Sequence, residues 1–334
     1  MPGLPLRVAV VGLGWWGRII CGLLKGNSKL RVVAGVDVVP DSGFCEKNGF
    51  DFRENFEATI RDPEIKGVIL CTPHTQHCGQ IVKAAAAKKH VFCEKPLSLS
   101  RADVLKAVEA CNAAGVALAV GHERRFEPPM LELQRMTAAG ELGTILQIEA
   151  NFSQNKFLAL AADNWRLSGK EAPAGPMTAT GIHLLDLSIA FLGPADTVYA
   201  RVATVGSDLR NGDTLGVFVS FKNGSNALLS AMLATPFEGR FAVYGTKGWA
   251  EVRDKTHPEA PEGWVLTFQD KNTERKVKDY PPAKAVLANL EAFADAAAGR
   301  APYPVPQAQM IANISALEAV FKSAASGAPQ KVQN

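Results

Sequence analysis

The run His90-Val91-Phe92-Cys93-Glu94-Lys95-Pro96 ends an apolar stretch on a charged lysine. A cation directly after a hydrophobic strand suits the exposed end of a sheet better than a core. Pro96 biases Lys95 toward an extended backbone and keeps a helix from starting there. Open α/β folds bind ligands at such strand ends, which makes Lys95 a candidate acid–base group. Oxidising an alcohol removes a hydride from carbon and a proton from oxygen. A neutral lysine can take that proton once burial and a nearby positive ring lower its pKa from about 10.4. In the reverse direction the ammonium would donate the proton and stabilise a developing alkoxide. His183, in Gly181-Ile182-His183-Leu184-Leu185, is the second candidate, because imidazole titrates near neutrality.

A cofactor loop precedes both. Gly12, Gly14 and Gly17 fit G-x-G-x-x-G in Gly12-Leu13-Gly14-Trp15-Trp16-Gly17, between a short strand and a helix. The first glycine permits the tight turn, the second lets a pyrophosphate approach, and the third allows close helix–strand packing. Free N–H groups at the helix start attract the phosphates, so the whole loop, Leu13, Trp15 and Trp16 included, is expected to line the cofactor. Asp37 closes the next strand about 20 residues on, where a carboxylate would accept ribose hydroxyls and repel a 2′-phosphate. Val38, Val39 and Pro40 follow, with no arginine to receive that phosphate. NAD is favoured over NADP.

Cys71, His74, His77 and Cys78 lie close enough in sequence to raise the question of a metal. They sit at a strand-to-helix junction with Pro73 among them, where four ligands in eight residues would struggle to form a tetrahedron. No metal is expected.

The elements that must position these residues read in two blocks. Strands are expected at Arg7–Val11, Leu30–Val36, Val68–Cys71, His90–Cys93 and Val116–Val120, with helices at Arg18–Lys25, Gln76–Lys88 and Ser100–Ala114. Ser100 and Asp103 have capping-box-like spacing, and Gly115 can close that helix. Strands alternating with helices argue for an α/β Rossmann domain with a doubly wound parallel sheet over residues 1–122.

Beyond Gly121-His122-Glu123 the pattern changes. A helix near Pro129–Ala139 is followed mostly by strands, at Thr144–Phe152, Thr197–Val205, Thr214–Phe221, Ala227–Leu233, Phe241–Tyr244, Gly248–Arg253 and Val265–Gln269. Lys222-Asn223-Gly224-Ser225 and Gly245-Thr246-Lys247-Gly248 read as hairpin turns. Helices at Ala285–Ala298 and Gln307–Ser326 close the chain. Residues 123–334 therefore form an α+β domain with a large, mostly antiparallel open sheet, expected to bind substrate and to carry oligomerisation.

The bulk properties fit this plan. The chain has 334 residues, 47% hydrophobic and 21% charged, enough for two ordinary domains. A net charge of +3 without a basic stripe gives no footprint for nucleic acid. No apolar run approaches the roughly 18 residues of a membrane span, and the opening Met1–Arg7 has no signal-peptide core. All six cysteines fall at or before Cys111, mostly in apolar surroundings, which reads as reduced thiols in a cytoplasmic protein.

Gly12–Gly17, Thr72-Pro73-His74-Thr75-Gln76-His77, His90–Pro96, Gly121-His122-Glu123-Arg124-Arg125-Phe126, Asn164-Trp165-Arg166 and Gly181–Asp186 together resemble the glucose-fructose oxidoreductase / inositol dehydrogenase / rhizopine-catabolism (Gfo/Idh/MocA) family. They occur in the family's order and span nearly the whole chain. The resemblance implies hydride transfer between a nicotinamide and a carbinol carbon. Lys95 matches the family's Glu-Lys-Pro lysine, which binds the substrate hydroxyl and assists proton transfer. Glu94, Thr72 and His77, with Pro73 and His74 between them, would lie along the cofactor toward its nicotinamide end. Arg124, Asn164, Trp165, Arg166 and His183 would meet the substrate. Arg124, Arg125, Lys156 and Arg166 suit either an acidic substrate or a surface role, and Trp165 could pack on a sugar's apolar face.

One departure stands out. Family members commonly carry Asp-x-x-x-His, and the residue four before His183 is Ala179. Asp186 lies one helical turn after His183 and could share its face. The expectation is an NAD-dependent dehydrogenase or reductase of a sugar, cyclic polyol or sugar acid. Two alternatives are a dehydrogenase of a cyclic dihydrodiol or hydroxy-semialdehyde, and a non-catalytic NAD- or metabolite-sensing paralogue. Family analogy suggests a homodimer or homotetramer.

Overall fold

Short, apolar and closely spaced strands dominate the first third of the chain, and parallel pairing buries them on both faces. The computed structural model describes residues 4–272 and 274–333. Met1–Gly3 of the opening segment, Thr273 and the terminal Asn334 of the second expected domain lie outside the described residues. Contacts divide the chain into two compact units, Met1–His122 with Val286–Met310, and Glu123–Ala285 with Ile311–Asn334. The expected boundary at 122/123 appears, with one difference: Val286–Met310, assigned from sequence to the second domain, packs in the first. The reason is visible in its side chains, since Leu290, Phe293 and Ala294 join the core formed by Val8, Val10, Ile20, Leu30, Ile69 and Phe92.

The first unit runs β1 (Leu6–Val11), α1 (Trp15–Leu23), β2 (Leu30–Val36), α2 (Ser42–Asn48), β3 (Asp51–Arg53), α3 (Phe56–Arg61), β4 (Gly67–Leu70), α4 (His77–Ala86), β5 (His90–Cys93), α5 (Arg101–Ala114) and β6 (Leu118–Val120). Its sheet has the order β3-β2-β1-β4-β5-β6, all parallel. This is the Rossmann order, with its switch point between β1 and β4. Ser100 Oγ accepts the Asp103 N–H at 3.2 Å and Gly115 adopts φ +68°, so α5 is capped as its sequence anticipates.

Three elements here have no counterpart in the expected pattern. α2, β3 and α3 span seven, three and six residues, too short for a hydrophobic period to register. α1 also starts at Trp15, three residues before its expected start at Arg18, which places Trp15 and Trp16 in its first turn.

The second unit opens with α6 (Pro128–Ala138), followed by β7 (Ile145–Ser153), α7 (Ile182–Leu192), β8 (Ala195–Ala203), β9 (Thr214–Phe221), β10 (Asn226–Met232), β11 (Glu238–Gly245), β12 (Gly248–Asp254), β13 (Trp264–Asp270) and β14 (Lys276–Tyr280). After α8 (Ala285–Ala297), the chain ends with α9 (Gln307–Ser326) and β15 (Gln330–Lys331). The nine-stranded sheet has the order β14-β13-β12-β11-β7-β10-β9-β8-β15. Only β7 with β10 is parallel; the other pairs are antiparallel. α7 packs on β7 and β10.

Alternate residues of these strands face the packed helices: Val198 and Ala200, Val217 and Val219, Ala227 and Leu229, Ile148 and Ala150 are all buried. The opposite face includes the exposed Tyr199, Phe218 and Leu228, and Phe218 is register partner of both Tyr199 and Leu228. The edge strand β14 went unread in the sequence because Lys276-Val277-Lys278-Asp279 is exposed throughout, as befits a strand with an unpaired edge.

Candidate active site

Parallel pairing sets the strand ends of the first unit in one row. Val36, Val11, Leu70, Cys93 and Val120 are successive register partners across β2, β1, β4, β5 and β6. The residues that follow them are Asp37, Gly12, Cys71, Glu94 and Gly121. One carboxyl edge therefore gathers the glycine loop, Asp37, the Thr72 turn and the Glu94-Lys95-Pro96 turn, which lie far apart in sequence.

The glycine loop is built for a close-fitting polyphosphate. Gly12 has φ +90°, and a Cβ there would meet the Cys71 carbonyl carbon at 2.8 Å. A Cβ on Gly17 would lie 1.9 Å from the Gly12 oxygen, so this position requires glycine for packing. Gly14 faces open space, with nothing within 4 Å of an added Cβ, and it precedes α1 without a side-chain cap. Free N–H groups beside an open approach are what a phosphate needs. Asp37 Oδ2 accepts the Leu13 N–H at 2.6 Å and Oδ1 accepts the Val39 N–H at 3.0 Å, which ties the acid to the loop and leaves lone pairs for a diol.

An arginine reaches this region from an unexpected direction. Arg18 on α1 donates through Nε to the Leu13 carbonyl at 2.9 Å and pairs with Asp41, beyond Asp37. No rule on residues following the ribose acid would have found it. These residues fit a dinucleotide: the glycine loop would hold its phosphates and Asp37 its ribose.

Glu94 is buried and its carboxylate turns toward Gly121, where a Cβ would lie 2.5 Å from Oε2. The same oxygen accepts the Lys95 N–H at 3.3 Å. Lys95 is half-buried, and its peptide bond to Pro96 is cis.

His77 is the first residue of α4. Its ring is fully buried, with Nδ1 2.7 Å from the Pro96 carbonyl and Nε2 2.9 Å from the Thr72 carbonyl. It braces the turn after β4 against the turn after β5. Thr72 Oγ1 donates to Gln80 Oε1 at 2.6 Å, and His74 is buried with its ring 5.8 Å from that of His77. Pro73 precedes the short turn His74–Gln76. Cys78 Sγ lies 3.4 Å from the Asp103 carbonyl, and burial pushes its thiol up to about 11. Among the described residues no three His, Cys, Asp or Glu side chains gather as metal ligands.

In the second unit His183 opens α7 directly after a π-turn, Met177–Gly181. It is 4% exposed. Its Nδ1 lies 3.7 Å from Glu123 Oε1, and its ring centroid is 5.9 Å from that of Phe152. Phe152 also contacts His257, at 5.8 Å. Glu123, Phe152 and His257 are thus neighbours that the sequence did not single out. No spacing rule links residues 30 or more positions apart.

Arg124 and Asp186 each have buried ion-pair partners. Arg124 is 1% exposed and paired to Asp254 at 2.6 Å and Glu127 at 3.3 Å. Burial would lower its pKa, and the two carboxylates outweigh that and raise it. Its guanidinium lies 5.1 Å from the Phe152 ring centroid. Arg124 is thus a buried cation paired with two carboxylates. Asp186 is held by Arg125 through two contacts, Nε to Oδ2 at 2.6 Å and Nη2 to Oδ1 at 2.7 Å.

The remaining candidates lie in the segment after β7. Asn164 Oδ1 caps a 3₁₀ turn by accepting the Arg166 N–H at 3.0 Å. The Arg166 guanidinium stacks 4.3 Å from the Trp165 ring centroid, and both residues are half-buried. Lys156 Nζ pairs with Glu259 at 2.6 Å and lies 3.1 Å from His257 Nδ1. Ala179 packs against Leu167, Leu209 and Leu233, together with Phe157 and Leu160.

Residues 6–122 match the model of the oxidoreductase family with an NAD-binding Rossmann fold, and residues 130–251 match a GFO/IDH/MocA C-terminal domain. A myo-inositol 2-dehydrogenase of Thermotoga maritima is 30% identical over 256 residues, covering 73% of this chain and 74% of that protein. A trans-1,2-dihydrobenzene-1,2-diol dehydrogenase of Bos taurus is 25% identical over 284 residues, 80% of each chain. The crystal structure of an aldose-aldose oxidoreductase from Caulobacter crescentus, complexed with glycerol, superposes with a TM-score of 0.86 at 25% identity, over 98% of this chain and 99% of that one. With both family models matched in order, and with the strand-end row that the Rossmann order produces, the chain belongs to the Gfo/Idh/MocA oxidoreductase family.

Proposed function

We propose that the protein is an NAD-dependent dehydrogenase or reductase acting on a carbinol carbon of a sugar, cyclic polyol or sugar acid. The observation that carries this reading is the single strand-end row that sets Asp37, the glycine loop and Glu94-Lys95 along one edge. Bound there, the nicotinamide supplies the hydride acceptor or donor. Lys95 Nζ holds the substrate hydroxyl and moves its proton, as the acid in reduction and the base in oxidation. Asp37 favours NAD through its carboxylate. His183 is the second proton-handling and substrate-binding group, with Asn164, Trp165 and Arg166 as further substrate contacts.

A cyclic dihydrodiol is the second reading for the substrate. Ala179, where the family resemblance leads one to expect an acid, packs on leucines, and the bovine relative's name refers to such a diol. The exposed row Tyr199, Phe218 and Leu228 supports self-association through the open face of the second sheet.

The test is a nicotinamide absorbance screen with NAD⁺ and NADP⁺ against polyols, aldoses, sugar acids and dihydrodiols. Turnover of one class identifies the substrate. Cofactor binding with no turnover across all of them would sink the dehydrogenase reading in favour of a sensor.

A further inference from the structure

The geometry points to Glu123 as the acid that positions His183 in this chain, supplied from a distant segment in place of the aspartate absent at Ala179. The inference rests on the reading of His183 as a site residue and adds the group that sets its orientation and charge.

Four acids lie near His183 by sequence or by fold: Asp186, Glu127, Asp254 and Glu123. Asp186, one turn further along α7, is held by Arg125 through both oxygens. Glu127 and Asp254 both pair with Arg124. Glu123 has a carboxylate oxygen 3.7 Å from Nδ1 of the imidazole. That separation is longer than a hydrogen bond, yet within the range where an opposite charge stabilises a protonated group. Both side chains are largely buried, 4% and 12% exposed, so solvent screens the pair weakly.

The arrangement also selects a ring nitrogen. With Nδ1 turned toward the carboxylate, Nε2 is the nitrogen directed away from Glu123. Phe152 contacts one side of the imidazole, and Arg124 lies on the ring of Phe152. The charged groups around His183 are then Glu123, Arg124 with Glu127 and Asp254, Arg125 with Asp186, and, beyond Phe152, His257 with Lys156 and Glu259. Each arginine or lysine in this set has at least one carboxylate partner. Glu123 is a positioning residue: it acts through His183 and needs no contact with substrate.

The experiment is an NMR titration of the full-length protein with isotope-labelled histidine, the His183 signal being assigned through His183→Asn. Glu123→Gln keeps the shape and removes the charge. The His183 midpoint is expected to fall by about one pH unit in Glu123→Gln, and by less in Glu123→Asp, which retains a carboxylate one methylene further away. A midpoint unchanged in either folded variant, or a His183 that stays neutral throughout in the unmodified protein, overturns the inference. The readout needs no turnover. Absence of dehydrogenase activity would therefore count against the proposed function alone, and an unmoved midpoint in an active enzyme would count against Glu123 alone.

Discussion

Arg125 and Asp186 meet through two hydrogen bonds between buried side chains 61 residues apart. Arg125 belongs to the turn Glu123–Phe126 that opens the second unit, and Asp186 lies one turn past His183 on α7. The pair fastens the segment bearing Glu123 to the helix bearing His183. Bidentate contact restricts rotation of both side chains as well as their separation.

Removing one partner leaves a buried charge unmatched. Asp186→Ala is expected to lower stability by about 3–5 kcal/mol, measured by chemical denaturation. A loss under about 1 kcal/mol would mean the pair is solvated or dispensable.

Lys95→Ala is expected to reduce turnover by about 10²–10⁴-fold, the range for loss of a general acid–base group. Cofactor affinity, followed by fluorescence titration, should stay within a few-fold. Near-normal turnover would remove Lys95 from the proton-transfer step.

Asp37→Ala should weaken the preference for NAD over NADP by about 10–100-fold, the equivalent of one or two charge-assisted hydrogen bonds. Arg18 and Asp41 lie in the same region, so Asp37→Ala with Asp41→Asn should move the preference further toward NADP. Unchanged ratios of kcat/KM for the two cofactors would show that Asp37 does not read the ribose.

Asp213 makes a prediction in acid. Burial alone would raise its pKa, but N–H groups of Val205 and Gly206 and hydroxyls of Ser207 and Thr214 hold it down at about 2. The folded value lies below the unfolded one, so this stability is present above pH ~4 and drains away as pH falls toward ~2. Asp213→Asn should cost about 2 kcal/mol at neutral pH and flatten the acid limb of the stability profile. An unaltered acid limb would contradict the assignment.

Phe218→Glu places a charge in the exposed row with Tyr199 and Leu228. If that face mediates self-association, sedimentation should show a smaller species with an intact fold. An unchanged mass would move the interface elsewhere.

The sequence alone determined the parts that act locally. A glycine's backbone freedom, a strand's apolar run, a proline's φ and a capping serine are properties of a few adjacent residues. The glycine loop, Asp37, the Glu-Lys-Pro turn, the cap of α5 and the hairpin turns were legible for that reason. The strand and helix pattern carried the two-domain plan, and imidazole chemistry together with the family resemblance pointed to His183. Elements of three to seven residues, such as β3 and α2, carry too little period to read.

Only the tertiary structure decided which long-range partners each side chain has. The fold pairs Arg124 with Asp254 and Glu127. It sets both ring nitrogens of His77 against backbone carbonyls. It also brings Glu123 beside an imidazole 60 positions away. Electrostatic and hydrogen-bond partnerships depend on distances of a few ångströms, and sequence separation does not encode those distances. Lys95 could thus be singled out from its neighbours in the chain, whereas the acid for His183 had to be found in space.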